Sequence, residues 1–289
     1  MLKKIALAAA LTASFGVAHA YQAEIHAGYE KTDMDYDIDG DLFFVNGKYY
    51  LNDVSTKNAP LAEAAFLNKA SSIGLGYTNG SVDTNVEYLG FDVNGEYEVQ
   101  SYGVSGEFFI PESQFYVAGS LNQTKFKITA SALGYSAEES DKTTGYTLEA
   151  GYLPVDGLLV AVGLSKESLD PVLYGNRGYI TSMTYASAAD EDNTVSLRAK
   201  YVSQIGNYFT NFEGVSYFGD ETAYGLGADL YIDPTLSVGV SFADSTEEDS
   251  DTIFGLRAQK FLTPALAVGV NYTTTDGADS YGINGTFRF

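Results

Sequence analysis

The sequence predicts an all-β chain, an antiparallel up-and-down barrel that crosses a membrane on 14 strands. Three observations carry that prediction. Apolar and polar residues alternate with period two almost to the last residue, as on strands with one oily and one wet face. Four similar corners recur, each an aromatic residue, a proline and a few turn residues ahead of a new alternation. The long polar connections fall on every second turn, as a barrel sorted between two sides of a membrane requires.

The chain opens with MLKKIALAAALTASFGVAHA, in which Lys3 and Lys4 precede an apolar run from Ile5 and Ala18-His19-Ala20 forms a small-x-small cleavage pattern. Thr12 and Ser14 break the run, which is too short for a spanning helix. Residues 1–20 are therefore expected to be a cleaved export signal, with the barrel occupying 21–289. Of 16 lysines and arginines, the two in the signal are lost; the other 14 face 38 acidic residues, a formal charge of −24. Such a charge disfavours nucleic acid as a partner. The absence of cysteine excludes a disulfide scaffold, and 23 tyrosines, 17 phenylalanines and 30 glycines favour strands and turns.

The first strand is expected near 21–31, where Tyr21, Ala23, Ile25, Ala27 and Tyr29 alternate with Gln22, Glu24, His26 and Gly28. Others follow near 41–51, 71–79 and 97–110. FIPESQFYVAG, with Pro111, separates 97–110 from 114–123; YLPVDGLLVAVG, with Pro154, separates 143–153 from 157–166. The next proline corner is YIDPTLSVGV at Pro234, 80 residues on and about twice the first spacing. A corner without proline is thus expected between strands near 178–188 and 194–203, and Asp190-Glu191-Asp192-Asn193 is the candidate. Strands near 221–232 and 235–243 flank Pro234, and those near 251–262 and 265–274 flank Pro264. The last, 279–289, sets Tyr281, Ile283, Phe287 and Phe289 against Ser280, Asn284 and Arg288. Its terminal phenylalanine resembles the signal that the barrel assembly machinery reads.

The longer polar connections, 80–96, 124–142, 167–177, 204–220 and 244–250, then share the extracellular end. One long connection falls at the periplasmic end: Asn52 to Ala70, NDVSTKNAPLAEAAFLNKA. Two readings stay open for it. Pro60 ahead of Leu61–Leu67 suits a short helix, and an extended turn suits it equally.

APLAEAAFLNKASSIGLGY, from Ala59 to Tyr77, together with the leader and the terminal TFRF, resembles the general bacterial porin family of gamma-proteobacteria, of the type found in the outer membrane of Acinetobacter. The resemblance covers that motif and both ends of the chain and does not extend to the extracellular loops. It implies a monomeric 14-stranded barrel in the outer membrane of a Gram-negative bacterium, surrounded by lipid and lipopolysaccharide, through which small hydrophilic solutes diffuse. No cofactor and no enzymatic activity are expected of the chain.

Placing the oily parity outward leaves an inventory of the lumen. Gly28, Gly74, Gly103, Gly163, Gly239 and Gly282 point inward, which suggests a wall that side chains do not pack shut. The pore-lining candidates are Glu24, His26, Lys48, Glu107, Glu149, Arg198, Lys200, Asp229, Arg257 and Arg288. With Glu30 counted, acids and bases balance five to five. The acid excess then lies in the loops, Asp33 to Asp41 and Ala243 to Asp251, where it raises local cation concentration. A weakly cation-preferring channel is the expectation.

Asp35, Asp37 and Asp39 ahead of Gly40 match the first half of a calcium loop, yet its twelfth position is Asn46 and Phe44 takes another ligand slot. The bland reading is an acidic hairpin turning at Asp39-Gly40, with divalent bridging to lipopolysaccharide phosphates as an intermediate one. Catalysis finds little support: His26 is the sole histidine beyond the leader and no G-x-S-x-G elbow accompanies it. The alternative to a channel is a closed barrel with an adhesive or envelope-structural role, plugged by a loop such as Phe209 to Asp220 with its aromatic residues.

Overall fold

The computed structural model describes residues 20–35, 38–57, 59–88, 91–133, 135–166, 193–248 and 250–289. They form a closed barrel of 14 antiparallel strands in which each pairs with its neighbours in sequence and β1 (Ala20–Met34) closes on β14 (Ala278–Arg288). Between them run β2 (Ile38–Ser55), β3 (Ser72–Tyr88), β4 (Phe91–Phe109), β5 (Phe115–Ala132), β6 (Tyr135–Val155) and β7 (Leu158–Lys166). The second half comprises β8 (Thr194–Ile205), β9 (Tyr208–Phe218), β10 (Thr222–Asp233), β11 (Leu236–Ser245), β12 (Ile253–Thr263) and β13 (Leu266–Thr275). The closing seam runs from Glu24 opposite Arg288 to Met34 opposite Ala278, and the Phe289 carbonyl accepts the amides of Gln22 and Ala23. The sheet thereby closes on itself between its first and last strands, as a sheet in lipid requires.

Period-two alternation decides which way each strand faces. Ile25, Leu75, Leu121, Leu197, Leu226 and Ile283 stand exposed on the outer wall. Aromatic rings pair along it, Tyr224 with Phe242, Phe242 with Phe254 and Tyr272 with Tyr281, as in the interfacial girdles of outer-membrane barrels. The inward set includes His26, Glu30, Asn46, Ser101, Asn122 and Asn211, all buried.

The structure corrects several boundaries. Of the segments 80–96 and 124–142, expected as loops, residues 80–88, 91–96, 124–132 and 135–142 are strand: β3 and β4 stay in register up to Tyr88 opposite Phe91, and β5 and β6 up to Ala132 opposite Tyr135. Above the oily band the outward positions turn polar, so the amphipathic signal fades while the ladder continues. Segment 204–220 is also no loop. Residues 208–218 of it form β9, and a turn without proline lies at Gly206-Asn207, whereas the corner expected at 190–193 falls outside the described residues except for Asn193. Gly206, at φ +64, meets the positive-φ requirement of a two-residue hairpin. Residues 178–188 and 190–192 lie outside the described residues, as does the leader up to His19.

β9 escaped notice because its faces are mixed. Val215 and Tyr217 point inward while Gly214 and Ser216 point outward. The first hairpin also differs, since Asp39 pairs with Asp33 and Gly40 with Thr32 inside the ladder, so the turn precedes Ile38.

Candidate functional site

The barrel encloses a cavity of about 330 Å3. Glu24, His26, Lys48, Glu107, Arg198, Lys200, Asp229, Arg257 and Arg288 line it, and Glu149 stands just behind Arg198. Two acids from segments not assigned to the lumen join them: Glu213 on β9 and Glu63 in the connection between β2 and β3. Among the described residues the ionic lining is therefore six acids, counting Glu30, to five bases, with Glu149 behind them. The even balance expected from sequence becomes a small acid excess.

These charges lie flat in paired clusters. Arg257 forms a fork with Asp229, Nε to Oδ1 at 2.7 Å and Nη2 to Oδ2 at 2.9 Å, while Asn211 donates to the same carboxylate at 3.1 Å. Arg198 grips Glu149 at 2.8 and 3.1 Å, approaches Glu213 at 3.4 Å and reaches the Tyr116 hydroxyl at 3.3 Å. Lys48 meets Glu107 at 2.8 Å, and Asn271 donates to Glu30 at 2.8 Å. His26 shares a hydrogen bond of 2.9 Å with Thr286 and packs on Phe44.

Inward glycines make this possible. A Cβ at Gly239 would stand 2.8 Å from Arg257 Nε and overlap Asp229, so the glycine is a seat for the ion pair instead of bare wall. Gly282 likewise lies under Asn271, and Gly163 under Ser196.

The dominant feature is the connection 56–71. It leaves β2, crosses the barrel and returns to β3, with a 3-10 turn at Leu61–Glu63 followed by α1 (Ala64–Leu67). On the far side the Leu61 amide donates to the Pro234 carbonyl at 2.8 Å, in the turn before β11, which stands five places from β2 around the closed order. Leu61 packs there with Phe261 and Ala267. Arg288 Nη1 donates to the Leu61 carbonyl at 2.8 Å while its Nε binds Glu24 at 2.6 Å, and its guanidinium is sandwiched between the rings of Tyr21 and Phe261.

At mid-span Glu63 accepts from the Tyr231 hydroxyl at 2.6 Å and from Lys200 at 2.8 Å. Ala64 is wholly buried beside Tyr21, Tyr50 and Val54, and Phe66 packs on Phe109 and Leu159 of the opposite wall. Glu63, Ala65 and Phe66 are consequently the floor of the cavity. A four-residue helix has no stability of its own in water, so these wall contacts hold the strap in place.

The sequence had offered a different plug, the aromatic segment Phe209 to Asp220; that segment is wall as far as Phe218, and the element that enters the lumen comes from the other end. Of the calcium candidates, Asp35 ends the described part of the first hairpin, Asp39 faces Asp33 with Lys31 near both, and Asp37 lies outside the described residues. No group of three or more metal-binding side chains occurs among the described residues.

The family model described as "Putative general bacterial porin" matches residues 1–289. The crystal structure of the Acinetobacter baumannii outer membrane protein Omp33 is similar at 30% identity and a TM-score of 0.66, over 94% of this chain and 99% of that one. A FadL homologue of Pseudomonas aeruginosa shares the fold at 9% identity and a TM-score of 0.55, over 93% of this chain and 90% of that one. No curated protein matches the sequence.

Proposed function

Since this chain belongs to the "Putative general bacterial porin" family and is a barrel of the Gram-negative outer membrane, we propose that it is a gated diffusion channel. It passes ions and small hydrophilic solutes with a weak preference for cations, and its resting state is closed by the strap 56–71. The observation that carries this reading is that polar contacts, Glu63 with Lys200 and Tyr231 and Leu61 with Arg288, tie the strap to the wall alongside its apolar packing.

A packed hydrophobic plug would be a permanent part of the wall. Here the floor is a short helical segment whose hold includes breakable polar bonds, while the Arg257–Asp229, Arg198–Glu149 and Lys48–Glu107 pairs lie within the wall and do not depend on it. The acid excess of the lining and the acidic hairpins above it favour cations in transit. The leader 1–20 is removed on export, the strand ending at Phe289 addresses the assembly machinery, and the barrel acts as a monomer.

A second reading is favoured by the anchoring of the strap on opposite walls: a barrel that never opens and serves adhesion or envelope structure. Planar-bilayer recordings of the wild type and of a barrel whose residues 57–69 are replaced by a short glycine-serine turn separate the two. Rare steps in the wild type and steady steps in the variant support the gated channel; a silent wild type beside a conducting variant supports the closed barrel.

A further inference from the structure

The outer wall carries a pair of lysines whose placement the channel does not explain. Lys125 of β5 stands directly opposite Lys142 of β6, and Lys127 lies one outward position further along β5. Two like charges opposed across a ladder repel and weaken the sheet in water. Lys127 is answered by Glu98 at 2.8 Å and Glu138 at 3.8 Å. The ammonium groups of Lys125 and Lys142 have no hydrogen-bonded or ionic partner among the described residues.

Their height above the oily band is informative. Leu121, four residues below Lys125 on the same face, is 59% exposed, and its row continues through Val104 and Tyr146. The next row, Tyr102, Gln123 and Thr144, is the transition, and the lysines stand in the row above that. Four residues at about 3.3 Å each on a strand tilted by about 40° place them about 10 Å beyond the apolar row, at the level of phosphorylated headgroups. Another outward lysine, Lys31, is held between Asp33 and Asp39 at 3.4 and 3.6 Å. In a chain of formal charge −22, a cation pair on the lipid side with no acidic partner among the described residues stands out against its surroundings.

We propose that Lys125 and Lys142, flanked by Lys127, bind a phosphate group of lipopolysaccharide seated against the wall of β4, β5 and β6. A phosphate between the two ammonium groups replaces their repulsion with charge-assisted hydrogen bonds. The acyl chains of the same molecule run down over Leu121, Val104 and Leu148, which lie exposed below the lysines. This continuity of cations above and apolar surface below selects a phosphorylated lipid over free phosphate.

The test is titration of the folded barrel in detergent with fluorescent bisphosphorylated lipid A. The expected result is that Lys125→Gln/Lys142→Gln binds at least about tenfold more weakly than the wild type, that Lys31→Gln binds as the wild type does, and that lipid A lacking its phosphates binds weakly to all three. Equal binding by wild type and double variant overturns the proposal, and so does displacement of the lipid by millimolar inorganic phosphate, which marks a site for the ion alone. Thermal melting without lipid guards against a trivial loss. Relieved of repulsion, the double variant melts no lower than the wild type; a lower midpoint assigns the lysines a structural role and also overturns the proposal.

Discussion

Lys200 Nζ lies 2.8 Å from Glu63 Oε2, and this contact joins the wall at β8 to the floor of the cavity. The other oxygen of the same carboxylate accepts from Tyr231 on β10, so one side chain of the strap is clamped between two strands. Lys200→Met leaves a buried carboxylate with a single neutral donor, at a cost of about 3–5 kcal/mol. Channel openings in a planar bilayer should rise by at least about tenfold. Glu63→Gln, which loses the charge and can still accept from Tyr231, should release the strap less.

Arg288 ties three elements together, β1 through Glu24, β14 on which it stands, and the strap through the Leu61 carbonyl. Arg288→Lys keeps the charge and loses the fork, and a single ammonium cannot span the same two acceptors. A loss of about 1–3 kcal/mol follows. It should appear as a lower thermal midpoint of the folded barrel and as more frequent openings.

Much of this architecture was legible in the sequence, and the reasons are physical. Alternation in β1, β8, β10, β12 and β14 fixed both strand and facing, because one side meets lipid and the other water. That same parity placed Glu24, Lys48, Glu107, Arg198, Asp229 and Arg257 on the inner side. β9 was missed because Val215 and Tyr217 face inward and blur the pattern, although Gly206-Asn207 between Ile205 and Tyr208 was a hairpin signal. The strand expected at 178–188 lies outside the described residues, and counting it gives β8 the direction opposite to the one observed. The strap's path was not legible, since nothing local in Leu61-Ala62-Glu63 says that its partners are Pro234, Tyr231, Lys200 and Arg288.

The seat under the Arg257–Asp229 pair gives a further test. Gly239→Val forces both side chains off the wall and into the lumen, since even a Cβ would overlap Asp229. In the background with the strap replaced, single-channel conductance should fall by roughly a third or more if the pair borders the conducting path. Unchanged conductance would place the path elsewhere.

Acid should weaken cation preference from the extracellular side. In the turn before β10, burial and then the neighbouring Glu247 and Asp220 push the Glu221 carboxyl above the usual carboxylate range. A raised carboxyl becomes neutral earlier as pH falls, so the mouth begins to lose negative charge before ordinary carboxylates titrate. Reversal potentials measured with acid added on that side should shift toward zero, and Glu221→Gln should remove the earliest part of the shift.

The chain contains no cysteine, so the strap can be locked at will. Phe66 and Phe109 have ring centroids 6.4 Å apart, one on the strap and one on β4. The most direct measurement is planar-bilayer recording of Phe66→Cys/Phe109→Cys, joined by a short cleavable cross-linker and then released. The account predicts silence while the strap is tied to the wall and discrete steps once it is freed. Steps that persist in the tied barrel would show that ions pass without moving the strap, and would contradict it.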